Sequence, residues 1–167
     1  MTNARKPAAR VGALVLAACV SAVLVGARSA AARGGITVQR APSASDTVLS
    51  ATLSGADEVP GPGDEKGSGT FHATMNPAQN QVCYDITTTG LTDVTAAHIH
   101  EGDAGKSGPP VLPLKVSADG SGKECATVKA DVITGMITSP SHYYVNVHDK
   151  AHPAGAIRGQ LALATGM

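Results

Sequence analysis

From Val48 onward, apolar and polar residues alternate in short runs divided by Gly, Pro and Asp. Alternation at period two places successive side chains on opposite faces of a strand, so each such run predicts a half-buried β-strand. Val48–Leu53 is the first. Residues 61–67 (Gly61 to Gly67) form a loop, after which Phe71, Ala73 and Met75 alternate with Thr70, His72 and Thr74. A turn over Asn76 to Asn80 leads to a strand in which Val82, Tyr84 and Ile86 alternate with Cys83 and Asp85. These two segments predict a hairpin with one buried face.

Residues 95–100, 109–116 and 123–128 read as further strands, with Pro113 arguing for an edge position in the second. Val132, Ile133, Met136 and Ile137 recur at helical spacing and predict the one helix, over Asp131 to Thr138. Asp131 is its expected cap and Pro140 its stop. A last hairpin spans Tyr143–His148 and Ala156–Leu163. In its first strand Tyr143, Val145 and Val147 share one face, and His142, Tyr144, Asn146 and His148 the other. Seven to nine short strands in about 115 residues predict an all-β fold: an antiparallel, Greek-key-like β-sandwich of the immunoglobulin or superoxide-dismutase kind, with one short helix. No internal repeat is evident.

The segment before these strands has a different pattern. Arg5, Lys6 and Arg10 precede an apolar stretch of 16 residues, Val11 to Gly26, and Ser29 to Ala32 offer an Ala-x-Ala cleavage site. That layout predicts a secretory signal peptide over residues 1–32, the stretch being short of the roughly 20 residues of a membrane span. Leu16-Ala-Ala-Cys19 also has the form of a lipobox, which would make Cys19 a lipid anchor. The apolar run continues beyond Cys19, however, and favours simple cleavage near Ala32 over lipidation or an uncleaved anchor. Residues 33–47, rich in Arg, Ala, Ser and Pro, read as a flexible linker, leaving residues 48–165 as the domain. The expected location is secreted or cell-surface, with no transmembrane segment in the mature form.

Cleavage changes the charge. The whole chain is neutral, but residues 1–32 hold four of the 13 basic residues (Arg5, Lys6, Arg10, Arg28) and none of the 13 acidic ones. Nine basic against 13 acidic residues leave the mature chain at −4, with one Phe, three Tyr and no Trp. A mildly acidic, aromatic-poor domain without a basic patch excludes nucleic acid and anionic lipid as expected partners. An extracellular protein or a cell-envelope component is the partner class that remains. Cys83 and Cys125 survive cleavage, and an even count in an oxidising compartment predicts a disulfide closing a loop of about 43 residues. Two free buried thiols are the other reading. A thiolate metal site fits poorly, since neither Cys has the Cys-x-x-Cys spacing.

The candidate chemistry lies in two strand ends. His98 and His100 are two apart on one strand, so they point to the same side. His148 ends another strand, and His152 follows four residues later. Three or four imidazoles suit copper or zinc, and Glu101, Asp103 and Asp149 are near enough in sequence to orient the rings. His-x-His pairs on strands also occur without any ion. His72 and His142 read as ordinary sheet-surface residues. Arg158 reads as a structural cation paired with a carboxylate such as Asp85 or Glu101. Residues 101–108 lack the glycine spacing of a phosphate-binding loop and read as a surface turn. The chain has no Gly-x-Ser-x-Gly elbow and no His-Glu-x-x-His helix, and Asp57/Glu58 and Asp64/Glu65 make no convincing acid–base pair.

A set of segments resembles the CHRD domain, named for its occurrence in the animal secreted protein chordin and found in many bacterial exported proteins. They are Leu53-Ser-Gly-Ala-Asp-Glu-Val-Pro60, Gly67-Ser-Gly-Thr70, Cys83-Tyr-Asp-Ile86, Gly90-Leu91, Ala96-Ala-His-Ile-His100, Gly108-Pro-Pro-Val111, Tyr143-Tyr-Val-Asn-Val-His148 and Ala156-Ile-Arg-Gly-Gln-Leu161. The resemblance covers roughly residues 49–163 and implies an extracellular β-sandwich acting as a binding or structural module, with no catalytic constellation. A weaker resemblance links His98-Ile-His-Glu-Gly-Asp103 and Val147-His-Asp-Lys150 to the copper-ligand strands of copper/zinc superoxide dismutase. Carried over, it implies copper on His98, His100 and His148, with Arg158 as an anion-guiding catalytic residue and His152 a spare or fourth ligand. The chain lacks that family's bridging His loop and its zinc ligands, so a mononuclear site is all this resemblance leaves.

Overall fold

A computed structural model describes residues 46–165; the predicted signal peptide and nearly all of the predicted linker lie outside them. Nine strands follow in chain order: β1 Thr47–Ser54, β2 Ser68–Asn76, β3 Gln81–Thr89, β4 Val94–Glu101, β5 Pro110–Leu114, β6 Gly122–Thr127, β7 Tyr143–Asp149, β8 Ile157–Gln160 and β9 Ala162–Leu163. One helix, α1, spans Ala130–Thr138. The strand order is β5-β4-β7-β8-β1-β2-β3-β6, with every pairing antiparallel. This is the all-β sandwich that the alternation predicts. Its two halves, β5-β4-β7-β8 and β1-β2-β3-β6, meet where Ser54 pairs with Arg158. The β3–β4, β5–β6 and β6–β7 connections pass from one half to the other.

The alternating apolar residues fill the space between the halves. Leu49 and Leu53 of β1, Phe71 and Met75 of β2, and Val82 and Ile86 of β3 face Ile99 of β4, Val145 and Val147 of β7 and Ile157 of β8 across one buried cluster. Ile133 and Met136 of α1 join it, as their spacing predicts. The edge strand β5 is tied to the other half. Tyr84 Oη of β3 accepts from the Lys115 amide just after β5 at 2.6 Å. Lys115 also pairs with Glu124 of β6.

The predicted Asn76–Asn80 turn is a single 3-10 turn ending on Asn80 in the left-handed region, with Asn76 Oδ1 accepting from the Gln79 amide at 3.0 Å. Cys83 and Cys125 are directly opposed in the β3–β6 register and form a disulfide. Pro113 lies on the edge strand β5, where its missing N–H costs no ladder bond. Three expectations change. The cap of α1 is Lys129, not Asp131; Asp131 lies two residues further in, within the first turn, and accepts from the Val132 amide. The run 156–163 is not one strand. Residues 157–160 pair with β7, whereas Ala162 and Leu163 leave it to pair with Ser50 and Leu49 of β1. Finally, Asp85 pairs with Lys123 at 2.8 Å and not with Arg158. No helix among the described residues is long and apolar enough to cross a membrane.

Candidate metal-binding site

Tyr143, Val145 and Val147 of β7 point into the core, so Tyr144, Asn146 and His148 point to the outer face. Antiparallel register aligns them with the neighbouring strands: His148 lies opposite Ala96, Asn146 opposite His98, and Tyr144 opposite His100. On the other side Asn146 faces Arg158 and Tyr144 faces Gln160. Cross-strand neighbours on one face come within roughly 4.5–5.5 Å at Cβ, so this register alone gathers the polar residues of three strands.

The three imidazoles of His98, His100 and His148 meet here. His98 lies 5.6 Å from His100 and 5.4 Å from His148 between ring centres, and His100 lies 6.4 Å from His148. One nitrogen from each ring falls within 4.8 Å of the other two. His100 Nδ1 lies 2.9 Å from the Gly108 carbonyl and His148 Nδ1 3.2 Å from the Pro153 carbonyl. A carbonyl can only accept, so each Nδ1 carries the proton and each Nε2 keeps its lone pair. Those two Nε2 atoms, together with His98 Nδ1, are buried without a hydrogen-bond partner. Burial pushes the His98 ring below the ordinary histidine range, with His148 and His100 adding to it. Burial lowers His148 likewise, opposed by its bond to Pro153. Both rings are thereby favoured in the neutral form that can donate to a metal.

The two carbonyls that orient these rings sit on loops held by the same outer face. Tyr144 is stacked on His100 at 4.9 Å with nearly parallel planes, and its Oη accepts from the Gly108 amide at 3.1 Å. The Arg158 guanidinium lies 3.4 Å from the Tyr144 ring centre, and its Nη2 donates to the Asp103 carbonyl at 2.9 Å and to Gln160 Oε1 at 3.1 Å. Gln160 Nε2 in turn donates to the Gly102 carbonyl at 3.0 Å. Residues 102–108 are therefore clamped by Tyr144, Arg158 and Gln160. The Pro153 loop is closed by Asp149, buried at the end of β7, whose Oδ1 accepts from the His152 amide at 2.6 Å.

The structure brings His98, His100 and His148 together and sends the other candidates elsewhere. His152 is not in the group; its ring lies 3.1 Å from Asp149, in a second cluster with Asp64. Glu101, Asp103 and Asp149 do not orient His100 and His148, because the Gly108 and Pro153 carbonyls do. Arg158 is a buried cation, but Asp85 and Glu101 are not its partners; a ring face, a carbonyl and an amide oxygen are. His72 is exposed on β2, and His142 pairs with Asp103 at 3.4 Å at the surface. Sequence reading missed Glu58. It is buried, its Oε2 lies 3.5 Å from Asn146 Nδ2, and its Oε1 has no partner. Burial raises the Glu58 carboxyl above the usual range, opposed by the Val59 amide and the Arg158 charge.

The CHRD domain family model matches residues 49–161. The chain belongs to the CHRD domain family. No curated protein matches the chain. The match spans all the strands that carry the site, from Glu58 before β2 to Arg158 on β8. A CHRD domain stapled by Cys83–Cys125 is compatible with an extracellular location, where such a bond persists.

Proposed function

We propose that this CHRD domain is an exported binding module whose ligand is a late first-row transition-metal ion, copper or zinc, held by His98 Nδ1, His100 Nε2 and His148 Nε2. One observation carries the reading: three histidine rings converge, each with a buried nitrogen that has no hydrogen-bond partner. Buried polar atoms are paired in folded proteins, and a cluster of unpaired acceptors of one kind is what a cation would satisfy. Neutral imidazole is the ligand type that copper and zinc prefer among first-row ions. Second-position hydrogen bonds from ligand rings to carbonyls are the usual device for aiming them. Export is supported by the basic, apolar and Ala-x-Ala pattern of residues 1–32 and by the disulfide.

The anion-guiding role for Arg158 finds no support in the geometry, since its guanidinium is buried and engaged on three sides. The proposed role is therefore binding, without a dismutase step. Metal content and Cu(II) and Zn(II) affinity of the exported, untagged protein test it. Near-stoichiometric metal is expected, with His98→Ala and His148→Ala each weakening binding at least tenfold and His72→Ala leaving it unchanged. Equal losses from all three substitutions would mean adventitious surface binding and would end the proposal.

A further inference from the structure

Asn146 stands at the centre of the histidine face. It lies directly opposite His98 on β4, two residues before His148 on β7, and diagonal to His100. It is buried, and its Oδ1, like one nitrogen of each of the three rings, has no hydrogen-bond partner. Its amide nitrogen Nδ2 lies 3.5 Å from Glu58 Oε2, and against an ionised Glu58 turning the amide over would set two oxygens against each other. Glu58 is in turn confined, because Gly155 and Gly63 pack their backbones against its side chain so closely that neither position has room for a Cβ. Glu58 also lacks an ion pair within reach among the described residues.

We infer that Asn146 Oδ1 selects which further ligand an ion held by the three histidines would take, accepting a hydrogen bond from a ligand that bears an O–H, such as water or hydroxide, and disfavouring anions that have none. Glu58 is the positioning residue that presents the oxygen of the amide, and not its NH₂, to that ligand. The inference rests on the metal reading above. Physically, a buried, unpaired acceptor on this face would be satisfied only by a donor; an aprotic anion on an ion held by the rings would leave Oδ1 buried and unpaired. A site that loses that acceptor loses the discrimination.

Azide binding to the Cu(II)-loaded full chain, followed by its charge-transfer absorption, is the test. Wild type is expected to bind azide weakly. Asn146→Leu, close in size and without an acceptor, should keep its copper and bind azide at least tenfold more tightly. Glu58→Gln should also tighten azide, since a neutral amide partner lets Asn146 turn over. In the double variant the two effects should not add, because Glu58 acts through Asn146. Unchanged azide affinity in copper-loaded Asn146→Leu would overturn the inference and leave metal binding standing. Loss of copper from folded Asn146→Leu would also overturn it, by making the amide a direct ligand. Full additivity would remove the positioning role of Glu58. A wild-type protein that takes up no copper or zinc would sink the metal reading and this inference together.

Discussion

The Arg158 guanidinium lies 3.4 Å from the centre of the Tyr144 ring, a buried cation resting on an aromatic face. Tyr144 is also stacked with His100, and register places these partners on its two sides, β4 carrying His100 and β8 carrying Arg158. The stack ties the central strand to its neighbours outside the apolar core. It also holds the Gly108 loop through Tyr144 Oη and the Asp103 carbonyl.

Arg158→Lys is expected to destabilise the domain by about 2 kcal/mol, because an ammonium cannot stack flat on the ring while also reaching Asp103 and Gln160. Chemical denaturation measures this. An unchanged denaturation midpoint would show that the stack contributes nothing to stability.

The metal-free protein should lose stability as pH falls. Burial holds His98 and His148 below the ordinary value of 6.5, so the unfolded chain takes up protons before the folded one. Their contribution is complete above about pH 6.5 and is lost as pH drops from there through the lowered folded-state values. Glu58 has the opposite sign: its raised pKa means that its contribution is present below about 4.5 and is lost as pH rises through the folded-state value. Thermal melts of wild type and His98→Asn/His148→Gln between pH 5 and 8 separate the two. The double variant should show a flatter acid limb, and identical limbs would contradict the assignment.

Cys83 and Cys125 are 42 residues apart, and the chain-entropy model values such a cross-link at roughly 4 kcal/mol. Native protein should therefore show neither of these thiols to a labelling reagent, and Cys83→Ala/Cys125→Ala should unfold at a much lower denaturant concentration. Two reactive thiols in the untreated protein would exclude the bond.

Much of this architecture was legible in the chain. Period-two alternation marked the strands and the inward faces, as with Phe71, Ala73 and Met75 or Tyr143, Val145 and Val147, because burial on one face of a pleated strand leaves that record in composition. The spacing of His98 and His100, and the shared face of Tyr144, Asn146 and His148, followed from the same rule. Pro113 marked an edge because it has no N–H to give. Local pattern misled where the decision was not local. Asp131 resembled a cap, but the chain entered the helix one residue earlier, and Leu161 hid the break at which the final run changes partner from β7 to β1.

By itself the sequence determined which residues face inward, where most of the strands run and which side chains share a strand face, all of which depend on neighbours one or two positions away. Only the tertiary structure decided that β4 and β7 are adjacent in a register setting Asn146 against His98, and that His152 turns to Asp149 and Asp64. It also decided that Glu58, some 90 residues distant in sequence, reaches Asn146. The choice of ring-orienting partner was likewise invisible, since Gly108 and Pro153 act through backbone carbonyls that every residue possesses. Strand pairing and loop closure bring together groups whose separation along the chain carries no signal, and there the site is made.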